Sequence, residues 1–223
     1  MSWPTERAYR TIGGVPLRYV RSSPDLTTYY VRSTAAFEDK LDNFSRDLAK
    51  IAPRSYGRLQ YFATAGAYVN KPKYHGLGRA FDLDMVRWRR VTCGPILRHH
   101  TYPIRIVRRR YIGVDAIARR WFKFVLDGWY NAAHRDHIHL DDGGGALMFR
   151  TYYRSDTVFI QAAANLMMGA GLVIDGIYGP KTDAAFTRMK NRLGIPHRVS
   201  RSSTIYRQFL WRLAFRALRN QLL

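Results

Sequence analysis

Apolar residues recur every three or four positions from Ala35 to Ile51. Phe37, Leu41, Phe44, Leu48 and Ile51 share one face, a period that predicts an amphipathic helix. Pro53 and Gly57 stop it. Leu59 to Tyr68 is rich in β-formers and small residues and predicts a strand running into the loop Asn70-Lys71-Pro72-Lys73. Ala80 to Val86 alternates, with Phe81, Leu83 and Met85 pointing one way and Asp82 and Asp84 the other. That is the pattern of a half-buried strand with its carboxylates on one face. Arg87 to Arg110 is basic without a clean period and reads as a long loop or an extra hairpin. Val114 to Leu126 returns to helical spacing. Residues 136–141 alternate again, placing His137, His139 and Asp141 on one face, until Gly143-Gly144-Gly145 ends the strand.

The character changes from about Arg150. Val158 to Met168 reads as a helix, a second helix starts at Thr182, and Ile205 to Leu222 forms a third. The fold class is therefore α+β: a small antiparallel-sheet domain over 35–149, followed by a small all-α domain over 150–223. Residues 1–34, with turn signals at Gly13-Gly14 and Ser22-Ser23-Pro24, read as an irregular N-terminal arm.

A chain of 223 residues, 47% hydrophobic, can bury a real core. Its net charge of +21 favours polyanionic partners such as nucleic acid, acidic lipid or the phosphate-rich polymers of a bacterial wall. Cys93 is the only cysteine, which excludes an intramolecular disulfide and a thiolate cluster. The N-terminus lacks the apolar core of a signal peptide. No apolar stretch approaches the ~20 residues that span a bilayer. These features predict synthesis in the cytoplasm, with something else carrying the protein to any outside substrate.

Four of the seven histidines fall in two short stretches, Tyr74 to Asp84 and His134 to Asp142. Gly76 and Gly78 allow a loop to fold His75 back over the strand carrying Asp82. With His139 as third ligand, one divalent ion gains three protein donors and an open position for water, the pattern of a catalytic zinc site. A base is also needed, and both His137 and Asp136 are placed for it. His134 is a donor for a developing oxyanion. His99, His100 and His197 read as solvated.

These residues resemble the zinc peptidases that group lysostaphin, the D-alanyl-D-alanine metallopeptidases and the hedgehog domain. His75, Gly78, Ala80 and Asp82 match that group's His-x-x-Gly-x-Ala-x-Asp motif, and His137 and His139 match its closing His-x-His. The stretch from Phe124 to Asp141 is most similar to the bacterial extensin-like C-terminal branch. The resemblance covers roughly residues 35–145. It implies a central antiparallel sheet bearing zinc on His75, Asp82 and His139, with His137 as base, or Asp136 as in members with an acid-x-x-His arrangement. The chain departs from the pattern at Lys73, where a serine is common, and in its single cysteine. Val69-Asn70 follows Ala67-Tyr68 where carboxypeptidase relatives place an arginine, leaving Arg79 or Lys71 to meet a substrate carboxylate.

The C-terminal region resembles the three-helix peptidoglycan-binding module. Gln161, the turn Ile174-Asp175-Gly176-Ile177-Tyr178-Gly179-Pro180, and Thr182, which can cap the next helix, carry that likeness. It implies wall binding through Asp175 and Tyr178, although Met189-Lys190 replaces the usual aromatic-Gln pair. Arg212, Arg216 and Arg219 form a basic stripe on the last helix, suited to wall phosphates, a membrane surface or an assembly partner.

The function expected is a zinc-dependent peptidoglycan peptidase of the phage lysin or injected effector type, with one zinc ion and the bacterial wall as partner. Two rivals are a wall-binding or virion structural protein with a closed four-ligand metal site and a metal-dependent nuclease. Nucleic acid is the less favoured partner.

Overall fold

The computed structural model describes residues 7–21, 27–70 and 72–223. The turn signal Ser22-Ser23-Pro24 and Lys71 lie outside them. The N-terminal segment carries strands where an irregular arm was expected: β1 (Arg7–Tyr9), β2 (Thr11–Ile12), β3 (Val15–Tyr19), β4 (Thr27–Thr28) and β5 (Val31–Ser33). Each spans two to five residues, too few for a period of two to declare itself. Burial of Ile12, Leu17 and Val31 nevertheless holds them in place. Gly13 and Gly14, at φ +55° and +77°, make the two-residue turn between β2 and β3, a geometry in which both central residues are left-handed.

Helix α1 (Ala35–Ile51) follows. Its five apolar positions are at most 1% exposed, and it ends at Ala52, because the residue before a proline disfavours helix. Next come β6 (Leu59–Gly66), β7 (Ala80–Trp88) and β8 (Thr92–Cys93). Helix α2 (Arg105–Arg119) starts nine residues before the expected Val114, and Phe124–Leu126 is strand β9 rather than the end of that helix. The arginines at 105, 108, 109 and 110 hid the helix's first turns, since their charge masks the Val107, Tyr111, Val114 and Ala118 spacing.

Strand β10 (Ile138–Asp141) completes an eight-stranded sheet of order β2-β3-β6-β7-β10-β9, with β4 on β3 and β8 on β7. The sheet is mixed, not wholly antiparallel, because β3 runs parallel to β6. Across β6 and β7, Ala63 pairs with Met85 and Thr64 with Leu83, so Asp84 is the extra residue of a bulge. The alternation therefore slips: Leu83, Val86 and Trp88 are buried, while Met85 is only half-buried.

Beyond β10 the chain is helical: α3 (Arg154–Met168), α4 (Pro180–Arg192) and α5 (Ser203–Leu218). Helix α4 begins with Pro180 at its first position and Gly179 at its cap. Thr182 is not the cap but is buried, and its hydroxyl accepts from Gln161 Nε2 at 3.3 Å. Helices α3 and α5 share one continuous apolar core with α2. At the α2–α5 crossing a β-carbon on Gly113 would lie 2.6 Å from the Leu218 side chain, so glycine is what lets the helices approach. Tyr56 Oη donates to Leu218 O at 2.5 Å, and Arg109 Nε to Leu166 O at 2.9 Å. Among the described residues no helix is long and apolar enough to cross a membrane.

Candidate metal centre

The register of β7 and β10 sets His139 directly opposite Asp82, the closest side-chain relation two strands offer. Thr64 fixes the backbone beneath: its hydroxyl donates to Asp82 O at 2.7 Å and accepts from Gly66 N at 2.9 Å. His75 arrives on the short 3-10 turn His75–Leu77, closed by Gly78 at φ +61°. A β-carbon on Gly78 would stand 3.2 Å from Ser33 Cα and Thr34 N, so the tight return of this loop over the sheet depends on glycine.

Three donor atoms then converge. His75 Nε2 lies 3.2 Å from Asp82 Oδ1 and 3.1 Å from His139 Nδ1, and His139 Nδ1 lies 3.0 Å from Asp82 Oδ1. The outer nitrogens are occupied: His75 Nδ1 faces Ala67 O at 2.5 Å and His139 Nε2 faces Asp141 Oδ2 at 3.0 Å. A carbonyl can only accept, so the His75 proton sits on Nδ1 and its Nε2 lone pair points inward. Asp141 favours the same arrangement in His139, as such partners do for metal-bound imidazoles. Burial opposes ionisation of Asp82, yet hydrogen bonds with His139 and His75 hold it well below the usual carboxylate range. Burial also opposes charge on His139, but Asp141 and Asp82 outweigh it and push its pKa up to about 9.

Inward lone pairs around a carboxylate repel one another unless a proton or a cation sits between them. Donors ~2.0–2.1 Å from a tetrahedral ion stand roughly 3.3–3.4 Å apart, close to the spacing of this triangle. His75, Asp82 and His139 can therefore hold a metal ion.

The remaining sequence-nominated residues fall around this triangle. His137 Nδ1 lies 2.7 Å from Asp136 Oδ1, and its Nε2 lies 3.7 Å from Asp82 Oδ1. Asp136 Oδ2 accepts from Arg21 Nη1 at 3.1 Å, and Arg21 also grips the buried Asp84 through Nε and Nη2 at 2.9 and 2.6 Å. Burial raises Asp84 despite Arg21. Asp136 is lowered, its partners His137 and Arg21 outweighing desolvation. The His134 ring packs 5.1 Å from His137 and 6.0 Å from His139. Burial, followed by the charges of His137 and His139, lowers its pKa to about 4. Its Nδ1 meets Asn131 Oδ1 at 2.7 Å, which puts the proton on Nδ1 and makes Nε2 an acceptor. Donation to an oxyanion does not follow from this tautomer.

Arg79 is paired: its Nε and Nη2 lie 2.8 and 2.6 Å from Asp142 Oδ1, while Lys40 holds the other oxygen at 3.1 Å. Asp175 and Tyr178 lie in the turn before α4. Asp175 Oδ1 accepts from Gln161 Nε2 and Ile177 N at 2.8 and 2.9 Å, and Tyr178 donates to Asp183 Oδ1 at 2.9 Å. His197 is exposed. His99 and His100 are not solvated, being 7% and 3% exposed. His99 Nδ1 accepts from Gly94 N at 3.0 Å, and the His100 ring packs edge-on against Trp129.

Arg21 and Asn131 escaped sequence reasoning. Arg21 is 115 positions from Asp136 and carries no local signal. Asp141 had one, two residues from His139 on a strand face. The chain matches no family model, and no curated protein and no solved structure is significantly similar to it.

Proposed function

We propose that this chain is a zinc-dependent peptidase of bacterial peptidoglycan, built as a sheet-based catalytic region joined to a helical wall-binding region. The observation that carries the reading is the inward-facing His75, Asp82 and His139 triangle beside a hydrogen-bonded Asp136–His137 pair. Zinc suits two imidazoles and a carboxylate, and when bound it supplies Lewis acidity that polarises a carbonyl and acidifies water near neutral pH.

Asp136 accepts from His137 Nδ1, which leaves the His137 Nε2 lone pair on the metal side as the general base. The two rivals for the base thus take different jobs: His137 moves the proton, and Asp136, braced by Arg21, orients the ring and steadies its charge. Water oxygen joins the carbonyl carbon, the peptide C–N bond breaks, and His137 passes the proton to the leaving nitrogen. His134 Nε2 accepts a hydrogen bond from a substrate N–H. Wall recognition falls to the turn before α4, where Val173 and Ile177 are 75% and 69% exposed beside Gln161 and Asp175. Exposed apolar groups next to polar ones suit a sugar face. The setting proposed for this pair of regions is a phage lysin or an injected effector.

Purified peptidoglycan and plasmid DNA digested side by side test the reading. New amine termini are expected from peptidoglycan alone, abolished by chelator and by His139→Ala. His137→Gln should keep the metal but lower turnover about 10²–10⁴-fold. Intact muropeptides under every condition overturn the proposal, and DNA nicks requiring His139 favour a nuclease instead.

A further inference from the structure

Two adjoining cavities, of about 340 and 400 Å³, share His100 and Trp129 in their walls and make up a cleft bounded by the start of α2, helix α3 with the loop after it, and the loop before His134. Five arginines line it, Arg98, Arg105, Arg108, Arg135 and Arg154, and no carboxylate does. The arginines of the metal centre and of the buried α2 network differ from these. Arg21, Arg79, Arg119 and Arg120 each meet aspartates within 3.2 Å. Arg98, Arg105, Arg108 and Arg135 form no ion pair among the described residues.

His100 Nδ1 and Arg108 Nε are buried without a partner. Burial, then the nearby charges of Arg135 and Arg98, lowers the pKa of His100 to about 4. Arg98 is held at φ +52°, a left-handed conformation that is costly outside glycine. Arg154 is fixed by donation to Asp175 O and Tyr130 O. The cleft also touches the metal centre's wall, because Asn131 lines it and hydrogen-bonds His134.

We propose that this cleft binds an oxyanion, a carboxylate or a phosphate, carried by the substrate polymer away from the bond that is cut. Guanidinium groups gathered in a concave site bind such groups through charge-assisted hydrogen bonds. The identity of the polymer rests on the peptidase reading; the anion site does not.

Fluorescence anisotropy with the full chain tests it, using a labelled peptide of four glutamates with blocked ends and its all-glutamine counterpart. The glutamate peptide should bind at least tenfold tighter. Arg98→Gln and Arg135→Gln should each weaken it roughly tenfold. The charge-matched Arg188→Gln and Arg198→Gln single variants, altered at exposed sites outside the cleft, should each weaken it less than threefold. Displacement by millimolar inorganic phosphate marks a phosphate site, and its failure marks a carboxylate site. Equal binding of the two peptides overturns the proposal, as does an equal loss in the charge-matched controls. Binding is read without turnover, so failure here leaves the peptidase test untouched, and failure of that test leaves this one standing.

Discussion

Asp141 shows how much of the metal centre rests on residues that hold no metal. Its Oδ2 faces His139 Nε2 at 3.0 Å, and it is 5% exposed. The corresponding partner of His75 is the carbonyl of Ala67, which side-chain mutation cannot remove, so the two imidazoles differ in vulnerability. Asp141→Asn takes away the charge that supports the inward lone pair of His139. Metal affinity should fall about 10–100-fold, read by competition with a chelating dye, and unchanged affinity would deny Asp141 this role. The triangle itself was legible from His75, Gly78, Asp82 and His139 in sequence. Arg21 was not, because only folding of the N-terminal strands brings it to Asp84 and Asp136.

Helix α2 is the element on which the molecule is assembled. Arg119, near its end and 2% exposed, meets Asp115 at 2.7 Å and both Asp127 and Asp156 at 3.2 Å. It thereby ties α2 to the loop after β9 and to the start of α3. Three buried carboxylates exceed one guanidinium, so protons are retained. Burial holds Asp127 well above the usual range and raises Asp156 to about 6, more than Arg119 can offset. A raised carboxylate stabilises the fold fully below its unfolded pKa of about 3.9 and loses that contribution as pH rises through its folded value. Asp156→Asn carries no such loss. Between pH 4 and pH 7 its urea stability relative to wild type should therefore improve by about 1–3 kcal/mol; a gap independent of pH would contradict the shift. Sequence periodicity found part of α2 but not its arginine-rich first turns, and it gave no hint that Arg119 is buried.

At the scale of the whole molecule, helices α3 and α5 close the same apolar core that the sheet and α2 begin. Truncation after residue 149 would strip α2 of Leu218 at Gly113 and of the Leu166 carbonyl at Arg109, and would remove Asp156 from the Arg119 network. The 1–149 fragment should show lost near-ultraviolet dichroism and rapid proteolysis, whereas a protease-resistant fragment would show that the sheet region folds alone. The charge of +21 is also distributed by the fold: near the metal centre arginines are matched by aspartates, and in the cleft around His100 they are not. The sequence by itself determined the long elements α1, β6 and β7, the short strand β10 through its alternating histidines, and the residues of the metal triangle. Long periodic runs bury one face whatever surrounds them, and a short loop or a strand alternation keeps its donors together. Tertiary structure alone decided the N-terminal strands, the mixed sheet, the bulge at Asp84 and the roles of Arg21 and Asn131. Those depend on contacts between residues far apart in the chain, whose free energy no local pattern records.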